Sequence, residues 1–328
     1  LTVPPRPLAE HLLAAAGMTG PILGVERLAG GRNNRVWRVD RLAADPVILK
    51  QYHHSPDDPR DRLGAEWAFA QHAWTACGLR DLPRPLVRDT AEHAGLYGFL
   101  PGRRLLPAEI GVREVAAAAA FVVSVNRCVS DPPLPPASEA CFSMAAHVAT
   151  IARRVARLEA GLDPAAPLAE AAAALVHERL VPAWSRLMPG LGGDAAVLPV
   201  RVSPSDFGFH NALADGADRI GFLDFEYAGL DDPAKLICDF CCQPEVPTPA
   251  ALHADFRDRV LAGLGLDTAS HRARCAALLP AYRLKWACIA LNDFLPSGAA
   301  RRAFAVQEAW ADRCSAQLAK AEAMLDGL

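Results

Sequence analysis

No apolar run in this sequence is long enough to cross a bilayer. The longest, Val115 to Val125, is alanine-rich and falls well short of the ~20 residues that a helical span requires. The start of the chain lacks a cationic segment followed by an apolar core, so no secretory signal is expected and the protein is expected to be cytoplasmic, with no membrane partner. Cysteine is too sparse for a disulfide scaffold: there are nine in 328 residues, and the single Cys-x-x-Cys, Cys238 and Cys241, has no second pair to complete a zinc site. Buried or helix-face thiols are expected instead. A strong charge bias is missing too. The formal net charge is -3, aromatics make up 7 % of the chain, and no basic cluster is interleaved with aromatic residues, which argues against nucleic acid as a partner. No internal repeat is visible, so a solenoid is not supported.

What is present is a hydrophobic content of 52 % in a chain of two-lobe length, enough for separate cores. The most informative stretch is Ser203-Pro-Ser-Asp-Phe-Gly-Phe-His-Asn211, followed by Ile220-Gly-Phe-Leu-Asp-Phe-Glu226. It reads as a loop and then a strand that delivers a second acid. An asparagine five residues after an aspartate, in a loop too short for a helix, can turn its amide oxygen toward the site the aspartate faces. Phosphoryl transfer needs one carboxylate at the attacking hydroxyl and a metal-binding set at the phosphates. Asp206 fits the first role, and Asn211 with Asp224 fits the second, since Mg²⁺ takes hard oxygen ligands and keeps several waters. The competing reading is that Asp206 and Asn211 are ordinary turn residues bonding nearby backbone.

The N-terminal third adds further signals. Leu28-Ala-Gly-Gly-Arg-Asn-Asn-Arg-Val-Trp-Arg-Val-Asp40 places paired glycines ahead of a β-rich run, as a loop must if its backbone is to approach phosphates closely. Gly30 and Gly31, with Asn34 beside them, are candidate nucleotide-binding residues. Val47-Ile-Leu-Lys-Gln-Tyr52 reads as a buried strand carrying one cation, Lys50, which needs an anionic partner. Glu66 is a candidate partner on a helix capped by Asp61, with Leu63, Trp67 and Trp74 at roughly helical spacing. The alternative is a solvated surface pair of little energetic consequence.

Taken in chain order, these segments resemble the protein-kinase-like small-molecule phosphotransferases, the superfamily of aminoglycoside phosphotransferases and choline kinases. The resemblance runs from about Leu28 to Phe240 and is most specific at Asp206 to Asn211 and at Leu223-Asp-Phe-Glu-Tyr227. It implies an α+β, bilobal kinase-like fold: an antiparallel-sheet nucleotide-binding lobe over residues 1–97 and a mainly helical lobe over 98–328. It also implies an ATP- and Mg²⁺-dependent kinase acting on a hydroxyl of a small molecule such as a sugar, polyol, amino alcohol or aminoglycoside-like compound. Asp206 would be the base, Asn211 and Asp224 the metal ligands, and Lys50 with Glu66 the phosphate-orienting pair. Leu96-Tyr-Gly-Phe-Leu-Pro-Gly-Arg103 looks like the hinge, with Gly98, Phe99 and Leu100 against adenine. The sequence departs from the family pattern where Pro204-Ser205 replaces the usual His-Gly and where His210 occupies a small-residue position. That departure motivates an alternative, a nucleotide-binding pseudokinase that regulates a partner. For His210, packing against the loop is preferred to a direct catalytic role.

Organisation follows. Residues up to Tyr97 read as β-rich runs with one helix. Beyond the hinge, helices are expected at Arg113 to Val129, Ser143 to Ala160, Leu168 to Leu187, Ala251 to Gly263, His271 to Phe294 and Arg301 to Leu325, with a proline-rich loop at Asp131 to Pro136. Asp231 and Asp232 are expected to cap a helix opened by Pro233, and the resemblance makes Asp239 structural. Arg283 and Lys285 are expected on the wet face of their helix.

Overall fold

The structure is a computed structural model and describes residues 5–28, 34–55, 58–192, 198–216, 219–296 and 310–328. Five antiparallel strands form the first layer: β1 (Ile22–Leu28), β2 (Asn34–Arg41), β3 (Ala44–Tyr52), β4 (Pro85–Asp89) and β5 (Ala94–Gly98), in the order β1-β2-β3-β5-β4. The period-2 alternation of β3 sorts its side chains. Val47 and Leu49 are buried on one face beside Trp37, Val39, Ala94 and Leu96, and Lys50 and Tyr52 point to the other.

The apolar face is covered by a helix the sequence reading did not anticipate. α1 (Pro5–Ala15) buries Leu8, Ala9, Leu12 and Leu13 against the sheet. Its prolines occupy the first turn, where a missing N–H costs nothing. α2 (Arg62–Gln71) starts at Asp61, whose side chain accepts the Gly64 N–H at 2.8 Å, and continues through a π-helical turn at His72–Ala76. The inner side of α2 does not share the sheet's core. Phe69, Ala70 and Ala73 pack into the larger apolar cluster of the second layer, so the helix bearing Glu66 is seated on the layer that bears Asp224.

That second layer contains α3 (Val112–Ser124), α4 (Met144–Ala160), α5 (Ala169–Ala174), α6 (Val181–Leu187), α7 (Pro233–Cys242), α8 (His253–Gly263), α9 (Ala269–Ala290) and α10 (Trp310–Asp326). A π-helical turn at Leu175–Leu180 joins α5 to α6. The expected helices are present, with ends shifted by up to five residues: the one expected to reach Val129 stops at Ser124. The last begins at Trp310 among the described residues; the expected start at Arg301 lies outside them.

Short strands hold the functional segments. β6 (Arg103–Arg104), β8 (Ala212–Ala214) and β9 (Ile220–Phe222) form one sheet, and β7 (Arg201–Ser203) pairs with β10 (Gly229–Asp231). Residues 204–211 leave β7 and enter β8, and residues 223–228 leave β9 and enter β10. Because Ser203 pairs with Gly229 and Ala212 with Phe222, both segments are clamped side by side at both ends.

Candidate active site

The loop from Asp206 to Asn211 alternates in chemistry and in burial. Phe207 and Phe209 are 3 % and 1 % exposed, and their rings enter an aromatic core: Phe207 lies 5.6 Å from Phe121 and 4.8 Å from Phe222, and Phe209 lies 5.4 Å from Phe240. Two aromatic anchors two residues apart leave Asp206 and His210 on the opposite side. The Asn211 amide nitrogen donates to the Asp206 carbonyl at 3.1 Å, and the Asn211 carbonyl accepts from Leu223 N at 2.9 Å. The three predicted residues Asp206, Asn211 and Asp224 are therefore tied through one backbone network.

Phe225 anchors the second segment in the same way, 4.4 Å from Phe69 of α2. On either side of it stand two acids with different surroundings. Asp224 has a φ of 65° and a side chain 35 % exposed, and Glu226 is 3 % exposed. Ser205, just before Asp206, has a φ of 67°. Left-handed backbone at non-glycine residues costs on the order of 1–3 kcal/mol and survives only where surrounding contacts impose it. Here the paired strands and buried phenylalanines do so.

Lys50 is brought to the same place from β3. Its Nζ lies 2.5 Å from Glu66 Oε2 on α2 and 2.5 Å from Asp224 Oδ1. Burial alone would depress the ammonium, but Asp224, Glu66 and Glu226 together hold its pKa well above the ordinary lysine value. Burial pushes the Glu66 carboxyl up, opposed by Lys50 and by a hydrogen bond from the Tyr52 hydroxyl at 2.8 Å. Tyr52 in turn meets the Tyr97 hydroxyl at 2.8 Å. Neither tyrosine was singled out from sequence, although Tyr52 sits two residues after Lys50 and so shares its face of β3.

Gly30 and Gly31 lie outside the described residues. Asn34 opens β2 and is 4 % exposed, with its amide nitrogen donating to Glu226 Oε2 at 2.8 Å. Gly98 ends β5 with its N–H donated to the Arg84 carbonyl at 2.8 Å; the Phe99 ring lies 4.9 Å from the Arg38 guanidinium. A cavity of about 250 Å³ lies against this turn, lined by Gly98, Phe99 and Leu100 with Trp74, Asp81 and Gly221. His210 Nε2 approaches Asp206 Oδ1 at 3.4 Å, and a Cβ at Gly208 would meet His210 Nδ1 at 3.0 Å, so the imidazole packs on the glycine of its own loop.

Beneath the loop lies a second ionic group. Asp232 caps α7, accepting from Ala234 N at 3.0 Å, as expected. Asp231 instead accepts the Cys141 and Asp232 N–H groups and pairs with Lys235 Nζ at 2.8 Å. The expectation that Lys285 faces water is corrected. It is 5 % exposed, and its Nζ donates to both oxygens of Asp239 at 2.8 and 2.9 Å, with Trp286 Nε1 adding a third bond at 2.9 Å. The Asp239 carboxylate, 46 residues away, outweighs lysine's preference for solvent. Arg283 donates to the Gly327 carbonyl. His147, fully buried, sits between Tyr282 and Asp232 at 2.6 and 3.1 Å. Burial opposes its charge, but the hydrogen bond to Asp232 prevails and carries its pKa up to about 9.

Chemically, the site offers a carboxylate beside open space, a buried cation shared by two carboxylates, and two hard oxygen donors, the Asn211 amide and the Asp224 carboxylate. Among the described residues, no group of three or more His, Cys, Asp or Glu is placed to hold a metal ion by itself, so a cation there would draw further oxygens from a phosphate ligand and water. No described helix is long and apolar enough to cross a membrane. The nine cysteines are free thiols, six of them buried.

A family model described as "Phosphotransferase enzyme family" matches residues 24–278. No curated protein matches the sequence. Among solved structures, similarity extends over essentially whole chains. A spectinomycin phosphotransferase in complex with ADP and spectinomycin has a TM-score of 0.65 at 12 % identity, over 99 % of each chain. A choline kinase from Streptococcus pneumoniae has a TM-score of 0.61 at 14 % identity, over 98 % of this chain and 99 % of that one. A choline/ethanolamine kinase family protein from Mesorhizobium loti has a TM-score of 0.60 at 20 % identity, over 98 % and 94 %. At such identities the likeness is one of fold.

Proposed function

We propose, from the premise that this chain belongs to the phosphotransferase enzyme family, that it transfers the γ-phosphate of ATP to a hydroxyl group of a small molecule. The observation that carries this reading is Lys50, shared at 2.5 Å between Glu66 and Asp224 across the two layers. A cation in that position is oriented by one carboxylate and competes for the other, and a polyphosphate entering the cleft supplies the anion that separates them. The two hard oxygens of Asn211 and Asp224 fit Mg²⁺, which when bound neutralises charge on the phosphates.

In this reading Asp206 orients the acceptor hydroxyl and takes its proton as the oxygen attacks. Its carboxylate is 37 % exposed, so an acceptor can reach it, while Phe207 and the Asn211 amide hold its backbone still. Lys50 stabilises negative charge on the transferred group, a role for pre-oriented cations that requires no rearrangement during the reaction. Tyr52 and Glu66 keep the ammonium in place. Residues around Gly98 to Leu100 would face the base of the nucleotide, and the glycine pair at 30 and 31 its phosphates. Lys285 is buried on Asp239 and offers an acceptor no charge, and sugars, polyols, amino alcohols and aminoglycoside-like compounds all stay in the acceptor class.

The test is transfer of labelled γ-phosphate from Mg-ATP into a fractionated small-metabolite extract by wild type and Asp206→Ala. Loss of a general base lowers turnover by about 10²–10⁴-fold, so the labelled product should vanish in the variant while ADP binding persists. Nucleotide binding by wild type without any transfer, across the acceptor classes above, would overturn the kinase reading in favour of a nucleotide-binding regulator.

A further inference from the structure

Glu226 is absent from the predicted site, yet two elements from the first layer and its flank, β2 and α2, converge on it. Its Oε2 accepts the Asn34 amide N–H at 2.8 Å from the first residue of β2, 192 positions away in sequence, and lies 3.5 Å from Nε of Arg62, the first residue of α2. All three side chains are sealed, at 4 %, 2 % and 3 % exposure for Asn34, Arg62 and Glu226. Arg62 is itself held by Asp58 Oδ2 at 2.6 Å and by the His53 carbonyl at 3.2 Å. The junction therefore fastens β2, α2 and the segment bearing Asp224 at a single carboxylate oxygen. Those elements also bear on the Lys50 contacts: β2 pairs with β3, placing Val36 opposite Lys50, α2 carries Glu66 one turn beyond Arg62, and Asp224 is two residues before Glu226.

We infer that Glu226 is a positioning residue for nucleotide phosphates, with Asn34 and Arg62 as its two holds; this rests on the kinase reading of Lys50 and Asp224 given above. Asp224 has left-handed backbone, a conformation that relaxes unless its flanks are pinned. Phe225 pins the apolar side, and the Asn34–Glu226 bond pins the polar side. A buried hydrogen bond to an ionised carboxylate is of the stronger kind, and a buried carboxylate that loses its donor is costly. Asn34 thus acts on the nucleotide through Glu226: its donor is committed, and its Oδ1 is buried without a partner.

The bond has a direction, which makes it testable by exchange. Asn34→Asp sets two carboxylate oxygens against each other where the 2.8 Å bond stood; kcat/KM for ATP should fall by about 10–100-fold and ADP affinity should weaken in step. Glu226→Gln keeps an acceptor for Asn34 but gives up the charge facing Arg62, for about a tenfold loss. Asn34→Asp combined with Glu226→Gln reverses donor and acceptor and conserves net charge, and should lose no more than the roughly tenfold of Glu226→Gln alone, a coupling that independent sites do not show. If the Asn34→Asp protein does not fold, Asn34→Ser, which shortens the donor without adding charge, should lose about tenfold. Additive losses in the double variant, or ADP affinity unchanged in every single variant, overturn the inference. Calorimetric ADP affinity separates the two readings: if no transfer is found for wild type, the exchange still decides whether Glu226 positions the nucleotide site.

Discussion

Two ionic groups in this chain are built from the same residue types and differ in how they are closed. Around Asp239, every charge is sealed. Lys285 and Trp286 saturate its carboxylate, Lys235 bridges to Asp231, and Asp231 and Asp232 are both 0 % exposed. Around Lys50 one member is left open, since the Asp224 side chain is 35 % exposed and stands on left-handed backbone. A sealed group has no coordination to give and can act only as an anchor. A half-open one can exchange its partner, and exchange is what binding a phosphate or a cation requires. On the proposed reading, the first group serves stability and the second chemistry, and each substitution below loads one side of that division.

The largest expected effect is on the open side. Lys50→Met should lower kcat by about 10²–10³-fold, the usual cost of removing one oriented charge from a transition state, with thermal stability changed far less than turnover; comparing kcat with the unfolding midpoint checks it. On the sealed side, Lys285→Met leaves Asp239 buried without its principal partner and should cost about 3–5 kcal/mol in urea unfolding, with turnover per folded molecule close to wild type. A Lys285→Met protein of wild-type stability would break the comparison.

A pH series sharpens it further. His147 has a folded pKa raised to about 9 by Asp232, above an unfolded value of about 6.5. A raised pKa means the folded state binds the proton more tightly, so this contribution is full below pH 6.5 and fades as pH climbs toward 9. Unfolding free energy should therefore decline over that window by up to about 3 kcal/mol, and His147→Gln should flatten the decline. A wild-type stability that rises between pH 6.5 and 9 contradicts the assignment. The smallest effect belongs to Arg60, whose side chain is 39 % exposed in its pair with Asp58; Arg60→Ala should cost less than about 1 kcal/mol, readable as an unfolding midpoint near that of wild type.

The same contrast explains what could be read from sequence. Lys50 and Glu66 were legible because a lone cation in an apolar strand and an acid on the next helix announce each other. The nearness of Asp206 and Asn211 was legible because an asparagine stands five residues after an aspartate in a loop too short for a helix. Lys285 was not, since a lysine on an apolar helix looks the same whether it faces water or a distant aspartate. Glu226 was visible only as part of Asp-Phe-Glu; its partners, Asn34 and Arg62, come from the far end of the chain. α1 was not anticipated; the prolines at its start stand in the first helical turn, which accepts them. Local periodicity shows in the letters, and pairings across 46 or 192 residues do not.

The most direct measurement is single-turnover γ-phosphate transfer by Asp206→Asn, which keeps the size of the side chain and removes its capacity to take a proton. The account predicts that transfer falls by about 10²–10⁴-fold while ADP affinity and unfolding free energy match wild type. Transfer within a few-fold of wild type, or a loss of activity that merely tracks a loss of folded protein, would contradict it.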